Sequence, residues 1–275
     1  MPGHGGHKKA KEQVHIEALR DPRWDAAARW LVGIDDTDNL ESRGTGFRAR
    51  QLAQRLQEAG LGRLVGITRH QLFVSPEIPY TSHNSSACLA FDMFDEAREA
   101  VVEFARDYLV RESAEGSDAG LCVGREADVT PAAMAFGQAA KERVVTQDGA
   151  HREAQACGFH LEGLTGTHQG VIGALSAVAL HATRNDGRYL WMRGVRSLDP
   201  GPYPLRLLRE STDIESFVTV DGVEVSGLDD QIIISDWARP VLTGGRAVLY
   251  LEEEQHGQLH NQRWRVAAKE FIKRF

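Results

Sequence analysis

At 275 residues, 42% of them hydrophobic, the chain has the length for one large domain or two of ordinary size, and two are expected. A net charge of −7 and a pI near 5.9 argue against a surface coated in positive charge for non-specific nucleic-acid binding, while leaving room for a local basic groove. No apolar run is long enough to span a bilayer and the N-terminus lacks the apolar core of a signal peptide, so no membrane partner is expected and the chain reads as cytoplasmic.

Residues 1–20 mix Gly, His and Lys with little apolar content and read as a mobile tail, with a short helix near 14–19. The apolar run 30–34 then has strand length and ends abruptly in Asp35, Asp36 and Asp38. A glycine-flanked segment, Arg43, Gly44, Thr45 and Gly46, opens a helical pattern directly afterwards. Carboxylates this close repel one another unless something neutralises them, and a hard cation such as Mg2+ is a common solution. A glycine turn that feeds a helix N-terminus presents free backbone N–H groups, which suit a phosphate. Together the two halves read as a metal–nucleotide site; the alternative is a solvated turn with a helix cap, which the same residue types also make. The stretch is neither a Walker A loop nor a dinucleotide-binding fingerprint.

Helical spacing continues from Phe47 to Leu56 and stops near Gly60. Strands are expected over 63–68 and 86–91, separated by a long loop at 76–85 that carries Tyr80, Thr81, Ser82, His83, Asn84 and Ser85. A helix with one apolar face is expected over 95–111, and the acidic stretch 112–118 is the best domain boundary. This order of elements gives an α+β (α/β sandwich) fold for the first domain. The second half opens with a strand at 120–123 and a helix capped by Thr130 with Pro131 in its first turn, where Met134 and Phe136 read as core.

A second glycine-rich turn, 163–170, repeats the device seen at Gly44 and feeds an apolar helix over 171–182. Within it His168 and Gln169 are side chains that could reach a ligand, or equally face solvent. Further strands are expected at 189–195, 232–234 and 248–251, with a hairpin around Asp221-Gly222. Residues 264–275 read as a basic amphipathic helix packed through Val266, Phe271 and Ile272, with RNA contact as the alternative. Cys88, Cys122 and Cys157 are widely spaced, without a C-x-x-C pair, and read as buried free thiols.

The order of GIDDTD, then Arg-Gly before a helix, then PEIPY before a polar loop, then GVIGALSA after the second glycine turn, then ARPVLTGGR, resembles the archaeal agmatidine synthetases over roughly residues 30–250. That family uses ATP and agmatine to modify the wobble cytidine of an isoleucine tRNA. The resemblance implies a kinase-like domain at 21–115 and a ferredoxin-like domain at 116–255, with the amphipathic helix read from the residues themselves following at 256–275. It implies ATP and Mg2+ as cofactors, with Asp35, Asp36 and Asp38 at the metal and the Arg43-Gly44 turn beneath the phosphates; Asp36 and Arg43 are the candidates for catalysis, Arg43 through transition-state charge stabilisation. Asp35, Gly44, Thr45, Gly46 and His83 would bind the nucleotide, and Gly166, Thr167, His168 and Gly170 would line the cleft. His83 and His168 are the acid/base or substrate-binding candidates.

Partners implied are ATP with tRNA, or else an amine or nucleoside-like small molecule; a homodimer is compatible with the sequence. The chain departs from the pattern where the family has Cys-Thr-Thr and this chain has Gly46, Phe47 and Arg48, and in the loop after PEIPY, where two cations are absent. A non-catalytic tRNA- or nucleotide-binding module is the competing reading.

Overall fold

A computed structural model describes residues 21–76, 78, 84–254 and 263–275. The tail at 1–20 and His83 lie outside the described residues. The first part of the chain runs β1 (Ala28–Asp35), α1 (Thr45–Glu58), β2 (Arg63–Gln71), β3 (Ser85–Met93), α2 (Arg98–Glu112) and β4 (Gly120–Arg125). It continues through α3 (Pro131–Glu142), α4 (Gln147–Ala156), β5 (His160–Gly163), α5 (Gly170–Ala182) and β6 (Arg188–Met192). The remaining elements are β7 (Gly201–Pro204), α6 (Leu205–Ser211), β8 (Ser216–Thr219), β9 (Gln231–Ile234), β10 (Val241–Thr243), β11 (Arg246–Glu253), β12 (Arg263–Val266) and α7 (Lys269–Ile272).

The strands join one large mixed sheet in the order β5-β4-β1-β3-β2-β6-β10-β11-β12-β9-β7, with β8 added alongside β11. β1 is central to its half, antiparallel to both β3 and β4. Its run is continuously apolar because both faces are covered. Trp30, Val32 and Ile34 pack with Leu52, Leu56, Val101 and Leu109 of α1 and α2, while Leu31 packs with Ala174, Leu175 and Val178 of α5 on the opposite face. Gly33 permits this closeness, since a Cβ there would lie 2.0 Å from the Ala174 carbonyl oxygen. As its composition suggests, α5 is buried on almost every side, between the sheet and α3 and α4.

The sheet does not pause at residue 115. β4 follows that point yet pairs with β1 from Trp30 to Asp35, and α3, α4 and α5 cover the back of the same sheet. A change of core comes later, at Met192, where a cluster including Leu205, Phe217, Ile232, Leu249 and Trp264 begins.

The C-terminal expectation needs correction. Of the helix placed at 256–275, residues 255–262 lie outside the described residues, Arg263–Val266 forms β12, and helix remains only at Lys269–Ile272. Trp264 and Val266 alternate with Arg263 and Arg265, which is the period of a strand. β12 pairs with β11 and β9, and the Trp264 indole N–H donates to Asp230 at 3.2 Å. α4 was not anticipated, because its apolar content is small alanines; Thr146 caps it by accepting from the Gly149 N–H at 3.1 Å.

Candidate functional site

β1 carries Asp35 to the end of the sheet, and the chain then turns through Asp36, whose φ of 47° is left-handed, a conformation that short polar residues tolerate. Thr37 is fully buried, and its hydroxyl lies 3.2 Å from that of Thr45. Asp38 accepts from both the Thr45 N–H at 3.2 Å and the Thr45 hydroxyl at 2.8 Å. Asp38 therefore caps α1 from the preceding loop, a role that Gly44 at the cap position has no side chain to fill. The loop is held by its own side chains.

Asp35 packs under α5. A Cβ at Gly173 would lie 1.7 Å from Asp35 Oδ2, so a glycine is required where the helix passes. Burial, the Asp36 charge and the more distant Asp38 push the Asp35 carboxyl up to about 8, against a lowering backbone hydrogen bond at Asp36. Asp36 is pushed up to about 6 by burial and the Asp118 charge, and a backbone hydrogen bond at Asp118 opposes the shift. Ionising both adjacent carboxyls is thus costly in this fold unless a cation joins them. Among the described residues no group of three or more His, Cys, Asp or Glu side chains is arranged to hold a metal ion.

The second glycine turn organises Asp118. Its Oδ1 accepts from the Thr167 N–H at 2.6 Å, and its Oδ2 accepts from the Thr167 hydroxyl. Gly166, at φ 58°, leaves room for that carboxylate, since a Cβ would fall 1.7 Å from Asp118 Oδ1. The Thr165 hydroxyl donates to the Ser117 carbonyl at 2.6 Å and accepts from the Ala119 N–H at 2.8 Å. The turn is thereby a clamp that fixes Asp118 beside Asp36.

A cleft of about 140 Å³ lies between these elements. Asp35, Asp36, Asp38 and Asp118 line one part of it, and Leu72, Ile78, Ala140, Val144, Val145 and Ile172 give it an apolar wall. Arg143, Asn84, Gln169 and Gly170 add polar groups. An adjoining cavity of about 270 Å³ shares Asp38, Thr45 and Ser85 with it and is lined also by Gly44 and Gly46.

The sequence-derived residues are thus divided. Asp35, Asp36, Asp38, Thr45 and Gly170 meet in the acidic cleft, and Gly44 and Gly46 border the neighbouring cavity. Gly166, Thr167 and His168 are exposed and line neither space; His168, at φ 64°, lies over Gly163. Arg43 is exposed, its guanidinium 4.2 Å from the centroid of the Phe47 ring, and lines neither space. Asp118 and Arg143 escaped sequence reading. Asp118 would have been legible had β4 been paired with β1, because Asp35 stands opposite Gly120, two residues beyond it.

No family model matches the chain. No curated protein matches it either. Among solved structures it is similar to a complex of TiaS with an isoleucine tRNA and ATP, at 25% identity and a TM-score of 0.48, over 55% of this chain and 36% of that one. It is similar to a tRNA fluorescent labeling enzyme at 26% identity and a TM-score of 0.48, over 55% and 36% of the two chains. It is similar also to apo TiaS, an agmatidine synthetase of an isoleucine tRNA, at 24% identity and a TM-score of 0.47, over 55% and 35%. The part of these proteins that the chain spans is about a third of their length.

Proposed function

We propose that the acidic cleft binds ATP with Mg2+, and that the protein is a ligase- or kinase-like enzyme. In this reading it activates an RNA base, or a related small molecule, through phosphoryl transfer for attack by an amine. The observation that carries the reading is the pairing of Asp35 and Asp36, pushed up to about 8 and 6, with an apolar wall in the same cleft. The carboxylates suit a hard cation, and the wall suits the flat face of a base.

Asp35 and Asp36 fit a divalent ion as oxygen donors whose repulsion such an ion relieves, with Asp118 nearby. Asp38 has one oxygen engaged by Thr45, so its first task is to hold the α1 terminus in place. Bound Mg2+ would neutralise phosphate charge during transfer. The rest is positioning by this chain: Gly173 keeps α5 clear of Asp35, Thr167 holds Asp118, and Ile172 and Val145 exclude water from one side of the cleft. The assignment of a kinase-like and a ferredoxin-like part belongs to the same proposal, with the nucleotide-binding part taking β4 and α5 from beyond residue 115.

One observation favours a second reading, a tRNA- or nucleotide-binding module without turnover. Phe47 and Arg48 stand where the resembled family has its threonines, and the Thr45 hydroxyl is occupied by Asp38 and Thr37. ATP turnover measured with pooled tRNA and with pooled amines separates the two. Turnover stimulated by either pool, and lost in Asp36→Ala, supports the enzyme. Nucleotide or tRNA binding with no turnover in any mixture supports the module.

A further inference from the structure

The cavity beside the acidic cleft adds two cations to the Asp38 that it shares with that cleft. It lies between the first turn of α1 and the ends of β2, β3 and β6, closed on one side by Leu190, which a Cβ at Gly46 would approach to 3.1 Å. Arg50 and Arg69 line it. Arg50 is partly buried, and among the described residues its guanidinium has no hydrogen-bond or ion-pair partner. Burial, with Arg196 and Arg43 nearby, brings its pKa down to about 10. Among the described residues Arg69 donates to the Ser85 hydroxyl alone, at 2.8 Å, and it stands directly opposite Arg188 across the β2–β6 pairing. Like charges facing each other across two strands are destabilising; burial and Arg188 lower the Arg69 pKa to about 10, against an opposing pull from Asp38.

A third group points the same way. Ser86 is 1% exposed, lines the cavity, and its hydroxyl has no hydrogen-bond partner among the described residues. A buried hydroxyl without a partner, and two guanidinium groups of which, among the described residues, Arg50 has no counter-charge and Arg69 has only the through-space pull of Asp38, are costs that a ligand can relieve. The ligand that relieves all of them is an anion rich in acceptor oxygens.

We propose that this cavity is a phosphate site, held by Arg50, Arg69 and Ser86 beside the first turn of α1, and that it takes a phosphate of the acceptor substrate rather than of the nucleotide. The assignment to an acceptor rests on the nucleotide reading of the neighbouring cleft, whereas phosphate binding itself does not. At about 270 Å³ the space has room for a phosphate with part of its sugar. Because the two spaces share Asp38, Thr45 and Ser85, an acceptor held here is adjacent to whatever the acidic cleft binds.

Calorimetric titration of the full chain with inorganic phosphate provides the test, with and without a non-hydrolysable ATP analogue and Mg2+. Saturable binding is expected in both conditions, weakened by about tenfold or more in Arg50→Gln and less in Arg50→Lys, with affinity for the ATP analogue unchanged. Arg50→Gln should melt no lower than wild type, since it removes an unpaired charge, so the loss cannot be ascribed to unfolding. Competition then identifies the source of the phosphate: displacement by ribose 5-phosphate points to a small phosphorylated acceptor, and displacement by a single-stranded RNA oligonucleotide points to a nucleic-acid backbone. Absence of phosphate binding, undiminished binding in Arg50→Gln, displacement by the ATP analogue, or competition by neither probe overturns the proposal. Phosphate binding without any ATP binding would sink the nucleotide reading while leaving the anion site in place.

Discussion

Asp35 exemplifies the tension between stability and binding in a single residue. Its folded pKa, about 8, lies above the ordinary carboxylate value, so the fold favours the protonated form. The stability that follows is complete below the unfolded pKa of about 4 and is lost as pH rises through about 8. In the absence of divalent cations the melting temperature should therefore fall between pH 6 and 8.5. Asp35→Asn should flatten this slope and raise the melting temperature at pH 8 by on the order of 5 °C, while abolishing cation-dependent nucleotide binding. An unchanged slope in differential scanning calorimetry would contradict the burial argument. Gly173→Ala tests the same contact from the helix side: its methyl would collide with the Asp35 carboxylate, and a loss of about 1–3 kcal/mol is expected from urea unfolding. At this scale the sequence was informative where chemistry is local. Asp35, Asp36 and Asp38 were recognisable from charge crowding alone, whereas Asp118, Arg50 and Arg69 reach the two cavities through strand pairing and helix packing, which no local pattern encodes.

Between elements, a buried polar chain ties β2 to α5, to the turn between α5 and β6, and to α3. Thr68, His70, His181 and Asp186 are all nearly inaccessible. The Thr68 hydroxyl lies 2.8 Å from His70 Nε2 and 2.9 Å from His181 Nδ1; His70 Nδ1 lies 2.8 Å from Asp186, which also pairs with Lys141. In one consistent proton arrangement His70 donates to Asp186, Thr68 donates to His70, and His181 donates to Thr68. Thr68→Val would strand two ring nitrogens and should cost about 1–3 kcal/mol in urea unfolding. Burial and the facing His70 hold His181 well below its ordinary value, so it is neutral in the fold. Its stabilising contribution is complete above about 6.5 and is lost as pH falls below that, opposite in direction to Asp35. In a background carrying both Asp35→Asn and Asp36→Asn, which removes the two carboxyls whose titration runs the other way, the melting temperature should therefore decline from pH 6.5 towards 5, and a flat profile there would count against a neutral buried His181. The boundaries of α1 and α5 were close to those expected because amphipathic spacing or apolar saturation, together with glycine ends, marks them. β12 was mistaken for helix because four residues with basic neighbours fit either period until their strand partners are known.

For the whole molecule, the continuous sheet brings the acidic loop after β1, the clamp around Asp118 and the apolar flank of α3 and α5 to one place. No helix among the described residues is long and apolar enough to cross a membrane. The sequence motifs point to the carboxylates of this loop, while the expected boundary at 115 falls between them and the Asp118 and α5 that adjoin them. The central claim is that Asp35 and Asp36 bind a nucleotide through a divalent cation, and calorimetric titration with a non-hydrolysable ATP analogue tests it most directly. Binding should require Mg2+, and it should vanish in Asp36→Asn while that variant melts at or above the wild-type temperature. Binding of equal strength without Mg2+ or in Asp36→Asn, or no binding to the wild-type protein under any condition, would contradict it.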